Sequence, residues 1–144
     1  MKTLTWQLII PLTIISFVFV TKWWYALPAD APDTMYTGFP LIYSGAAWHT
    51  SMAYQIFVAE FLIDILTYFL TWFIVIYCIN RFWFTIKLPR LVTTIVWSFS
   101  VLIMGLYTLT ASFSDNVYYF KKSYPMIIKE TGYHFFWQHT QRPD

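Results

Sequence analysis

The chain has 144 residues, 58% hydrophobic and 23% aromatic, with only 11% charged and a formal net charge of +2. A soluble domain carries about a quarter charged residues, so the composition points to the membrane class, with room for one bundle domain. The few dispersed basic residues exclude a nucleic-acid footprint, and the single Cys78 excludes an intrachain disulfide or a cysteine zinc cluster.

The first apolar run covers about residues 4–22 and contains Pro11, which should kink the helix by removing a backbone donor and crowding the preceding turn. A secretory signal peptide is the rival assignment, with Ala26-Leu27-Pro28-Ala29 as the cleavage region. The cluster Trp23-Trp24-Tyr25 favours a retained helix, because such rings anchor at headgroup depth. Residues 23–53 then read as a loop, punctuated by Pro28, Pro32, Gly38, Pro40 and Gly45. Its middle, Tyr36-Thr37-Gly38-Phe39-Pro40-Leu41-Ile42-Tyr43, is too apolar for a solvated loop and should lie in the interface.

The strongest apolar run covers 54–79 and stops at Asn80-Arg81. The third, over 90–112, follows Pro89, a good first-turn residue. Their connection carries Arg81, Lys87 and Arg90 without an acid, which argues that it is cytoplasmic. Lys2 agrees with that orientation, whereas Lys121 and Lys122 oppose it. Residues 113–144 mix aromatics with charge and should form an interfacial tail, with one short helix between Ser123-Tyr124-Pro125 and Gly132. The expected architecture is all-α: three transmembrane helices, an aromatic interfacial loop and a C-terminal interfacial tail in a single membrane domain.

Two carboxylates, Glu60 and Asp64, fall inside the second apolar run. A charge in hydrocarbon costs about 2.5 kcal/mol or more, so such groups need a partner, a water path or a function. Glu60, Asp64, Thr67 and Thr71 share one face of the second helix, and Ser98, Gly105, Thr108 and Ser112 share one face of the third. Small and hydroxyl-bearing residues let membrane helices approach closely. The two stripes are therefore expected to form a polar seam in an antiparallel hairpin, with Asp64 accepting a bond from Thr108 or a nearby hydroxyl. The plainer alternative places both acids near the outer interface, paired with a basic neighbour.

Recognisable chemistry is otherwise sparse. His49, His134 and His139 lie outside the apolar runs, leaving none at membrane depth for haem. No phosphate-binding glycine loop, nucleophile elbow or zinc-protease helix is present. The expectation is no metal, no cofactor and no catalytic residue.

The segment Tyr36-Thr37-Gly38-Phe39-Pro40-Leu41, then Trp48-His49-Thr50-Ser51 and Phe61-Leu62-Ile63-Asp64-Ile65-Leu66, resembles a pattern in small uncharacterised bacterial integral membrane proteins with a Gly-Phe-Pro loop. The resemblance spans residues 36–66 and implies a bacterial cytoplasmic membrane, with no activity attached. Physically, Gly38 permits a turn that Phe39-Pro40 fixes, bracing the start of the second helix. The functional expectation is a non-catalytic accessory or assembly subunit of a larger membrane complex, with the lipid bilayer and other subunits or itself as partners. The alternative is an oligomeric proton or cation conductor using Glu60 and Asp64.

Overall fold

Trp23, Trp24 and Tyr25, expected at a headgroup belt after a helix, instead lie within a nine-residue β-strand. The structure, a computed structural model, describes residues 2–28, 34–47, 53–83, 85–86, 88–122 and 125–135. Six strands form one mixed sheet: β1 (Val20–Pro28), β2 (Thr34–Thr37), β3 (Ser44–Ala46), β4 (Tyr54–Phe57), β5 (Val117–Tyr119) and β6 (Met126–Phe135). Their order is β5-β4-β3-β2-β1-β6, with β4 and β5 parallel and every other pair antiparallel.

The all-α expectation is therefore overturned. The chain is a mixed α/β protein with three helices and a six-stranded sheet, in which much of the expected loop and tail is strand. Val20, Thr21, Trp23, Trp24 and Tyr25 are β-branched or aromatic types that suit a pleated surface. Their partners lie at the far end of the chain, where Val20 pairs with Phe135 and Trp23 with Gly132. The short helix expected before Gly132 is instead β6, which runs through that glycine. Ala26, Tyr36 and Phe57 of the sheet, with Ile42 from the segment between β2 and β3, form a buried apolar cluster flanked by Trp24, Tyr119 and Met126.

The first helix, α1, consists of Lys2–Leu4, a π-helical turn Thr5–Ile9 and Ile10–Phe19. The turn just before Pro11 is widened, with the Ile10 N–H bonding back to the Thr5 carbonyl. Helix α2 covers Val58–Cys78 and continues as a π turn, Ile79–Trp83. Helix α3 covers Arg90–Ala111. Two helical segments, Val58–Trp83 and Arg90–Ala111, are long and apolar enough to cross a membrane, whereas the apolar part of α1, Thr5–Phe19, is shorter. The expectation of three spanning helices is thus reduced to two.

α1 lies between the two long helices and packs on both, while α2 and α3 make few direct contacts. The Trp97 Nε1–H donates to the Trp6 carbonyl at 3.0 Å and the Trp72 Nε1–H to Ser16 Oγ at 2.5 Å, while the Ser100 hydroxyl is shared between its own helix's Val96 carbonyl at 2.8 Å and the Pro11 carbonyl at 3.2 Å. This intercalation replaces the expected direct seam between the second and third helices. β1 follows α1 and β4 precedes α2 without an intervening residue, and β5 follows α3 after a short link. The sheet therefore caps one end of the helix layer, and the α2–α3 connection lies at the other.

Candidate functional site

Asp64 stands where helix layer and sheet meet, one turn beyond Glu60 on α2. It is 0% exposed. Its Oδ2 accepts the Phe39 N–H at 2.7 Å and its Oδ1 accepts the Leu41 N–H at 2.9 Å. Bonds of this kind, backbone N–H to an ionised carboxylate, are roughly twice as strong as neutral ones. The carboxylate thereby latches the segment between β2 and β3 onto α2.

The latched segment is held from the other side too. The Gly38 N–H donates to the Lys22 carbonyl at 2.9 Å, and the Trp24 Nε1–H donates to the Gly38 carbonyl at 2.8 Å. Gly38 has φ +150°, and a Cβ there would lie 1.8 Å from the Leu41 carbonyl oxygen, so only glycine fits. The Phe39-Pro40 bond is cis. The Lys22 ammonium sits 3.9 Å from the Trp24 ring centroid, a cation–π contact that completes this corner.

Glu60 lies in the first turn of α2, where a negative charge complements the helix dipole. Its Oε1 accepts the Lys122 N–H at 3.2 Å, and the neighbouring Ala59 N–H donates to the Phe120 carbonyl at 2.9 Å. The segment after β5 thus satisfies the open start of α2. Glu60 Oε2 is buried without a hydrogen-bond partner.

An aromatic cluster fills the junction. The Phe17 ring centroid lies 5.1 Å from Tyr43, 5.3 Å from Phe61 and 5.8 Å from Tyr68. Phe61 of α2 also stacks on Tyr107 of α3 at 6.4 Å. The Tyr68 hydroxyl donates to the Val20 carbonyl, tying α2 to the first residue of β1. Beside the cluster, a cavity of about 230 Å³ is lined by Tyr43, Ser44, Thr37, Tyr107, Thr110 and Asn116 among others, with no charged side chain. The Tyr107 and Tyr43 hydroxyl oxygens stand 3.5 Å apart there. Burial, reinforced by Tyr107, holds Tyr43 well above the usual tyrosine range, so its hydroxyl stays protonated.

The remaining seam residues do not converge on Asp64. The hydroxyls of Thr67 and Thr71 donate to the Ile63 and Thr67 carbonyls, and those of Thr108 and Ser112 to the Gly105 and Thr108 carbonyls. Each bonds within its own helix, a common outcome for Ser and Thr in helices. Ser98 and Gly105 face outward, with nothing within 4 Å of a Cβ at Gly105. The donors expected for Asp64 from the Thr108 region are replaced by the backbone of the Gly-Phe-Pro segment. Cys78, the last residue of α2, is exposed.

The face of α3 that packs is the one carrying Ser100, Ile103 and Tyr107. Ser100 and Tyr107 lie two positions beyond Ser98 and Gly105, and Ile103 two before Gly105, which sets them about 160° from the stripe around the helix. Ser100 was legible as a hydroxyl in an apolar helix, but its neighbour across the helix contact, the Pro11 carbonyl of α1, was not. His49 and His139 lie outside the described residues, as does the His134 side chain. Among the described residues no three His, Cys, Asp or Glu side chains come close enough to hold a metal ion. Comparison with protein-family models, curated proteins and solved structures finds no match for this chain.

Proposed function

We propose that this chain is a small non-catalytic accessory or assembly subunit of a larger complex, anchored in the bacterial cytoplasmic membrane by Val58–Trp83 and Arg90–Ala111. The observation that carries this is the state of Asp64: both oxygens are engaged by backbone N–H groups and the residue is 0% exposed. A carboxylate so enclosed braces structure and offers no face to a substrate or a permeating ion. The outward surfaces of both long helices support the same reading, because Leu62, Leu66, Ile74, Leu102, Leu106 and Leu109 are all exposed apolar groups that require lipid or a neighbouring subunit. The bacterial setting rests on the resemblance around the Gly-Phe-Pro segment. The test is purification of the tagged chain in mild detergent with identification of co-purifying chains. A stoichiometric membrane partner, or a defined self-assembly, is expected; a lone monomer would refute the assignment.

One observation favours a second reading, the oligomeric proton or cation conductor. Glu60 Oε2 is buried and unpartnered, leaving an acceptor free for a proton or a cation. In that case the chain reconstituted alone in liposomes would dissipate an imposed proton or potassium gradient. Glu60→Gln would abolish the flux while leaving assembly intact.

A further inference from the structure

We propose that the end of the helix layer remote from the sheet is a docking surface for anionic phospholipid headgroups, built from Arg81, Phe82, Trp83 and Arg90. The proposal rests on the spanning of a bilayer by the two long helices. It adds to that the lipid class, the residues that recognise it and the side on which the sheet lies.

Charge is segregated along the molecule's long direction. Residues 1–20 and 65–114 contain four charged side chains, Lys2, Arg81, Lys87 and Arg90, and all are basic. In sequence these four stand at the start of α1 or within and beside the α2–α3 connection. Among the described residues, the acids Glu60, Asp64, Asp115 and Glu130 lie in or next to segments that build or join the sheet, together with Lys22, Lys121, Lys122 and Lys129. Among the described residues, the end remote from the sheet carries basic side chains only, whereas the sheet end carries both signs in equal number.

The cationic end is also aromatic. Phe82 is 75% and Trp83 81% exposed on the π turn that ends α2, and Trp6, 65% exposed, stacks beside Trp97 at 5.5 Å. Rings of this kind settle at the headgroup boundary, and Arg81 and Arg90, both exposed, flank that boundary. Guanidinium groups match phosphate oxygens in paired hydrogen bonds, and juxtamembrane basic residues are attracted to anionic leaflets. No acid among the described residues at this end competes for them. The sheet, joined to the opposite helix ends, then lies on the non-cytoplasmic side.

The experiment uses the full chain in mixed phosphatidylglycerol and phosphatidylcholine, with retained lipid counted by native mass spectrometry. Each basic residue near an anionic surface is worth roughly fivefold in partitioning, so Arg81→Gln with Arg90→Gln should lower the phosphatidylglycerol preference about 25-fold. Both side chains are exposed, so the fold is not at risk. A Ser114→Cys reporter in a Cys78→Ser background should label with an impermeant maleimide from outside intact cells. A wild-type preference under about twofold, an unchanged preference in the double variant, or labelling only after permeabilisation would overturn the proposal. Release of the wild-type chain by alkaline carbonate would instead refute membrane spanning itself.

Discussion

Removing the Asp64 carboxylate should unlatch the Gly-Phe-Pro segment from α2. Asp64→Ala leaves the Phe39 and Leu41 N–H groups without their acceptor, at 2.7 and 2.9 Å in the native protein. A buried donor left unsatisfied costs about 1–3 kcal/mol, so two cost about 2–6 kcal/mol. Part of this is offset, because the buried charge no longer has to be desolvated. The expected net loss is about 2–4 kcal/mol, a fall in melting temperature of roughly 5–15 °C for a chain of this size. Asp64→Asn keeps the shape and one acceptor but turns an NH₂ toward the second N–H, so it should lose about half as much. The assay is thermal unfolding in detergent micelles followed by tryptophan fluorescence. Trp24 is a local reporter, since its indole N–H bonds the Gly38 carbonyl. An Asp64→Ala protein that melts within about 2 °C of wild type would show that the carboxylate does not hold this segment.

Other expected outcomes follow from the same geometry. Gly38→Ala places a methyl against the Leu41 carbonyl at a positive φ and should destabilise at least as much as Asp64→Asn, read by the same melting curve. Ser100→Leu overfills the α1–α3 contact and strips the Pro11 carbonyl of its donor, for a loss of about 1–3 kcal/mol. Ser98→Leu, on the exposed face, should stay within about 0.5 kcal/mol, and equal losses in the two would mean that the packed face of α3 is misassigned. Gly105→Ala meets open space and should stabilise the purified chain by about 0.5–1 kcal/mol through helix propensity; a clear loss would place a neighbour at that position. Glu60→Gln should leave the melting temperature within a few degrees, because its accepting oxygen toward the Lys122 N–H is retained, and a collapse of the fold would give that side chain a larger structural share.

The long apolar segments of α2 and α3, and the need of Asp64 for a partner, were legible from the sequence because hydrophobicity and burial cost are local properties of a run of residues. The part played by the Gly-Phe-Pro segment was half legible: Gly38 announced the turn and its place beside α2, but not the carboxylate that fastens it. The sheet was not legible. Its strands are short or lack a clean alternation of buried and exposed positions, as β1 shows, with Tyr25 and Ala26 both buried. β1 is completed by β6, from the opposite end of the chain. No window of sequence contains both halves of such a ladder.

Helix-face assignment failed on α3 for a related reason. Small hydroxyl residues at Ser98, Gly105, Thr108 and Ser112 describe a surface able to pack, but a hydroxyl in a helix can satisfy itself on its own backbone, so composition does not oblige it to meet a neighbour. What decided the outcome was the short α1, which enters between the long helices and selects Ser100, Ile103 and Tyr107 instead. Sequence by itself determined the apolar character of the two long helices and where buried charge demands an answer, because both follow from single-residue transfer energies. That the first apolar run turns into strand at Val20 and stays too short to join them was decided by the fold. Tertiary structure alone decided that the answer comes from backbone amides and that aromatic segments pair as strands, because those contacts depend on chain segments brought together only by folding.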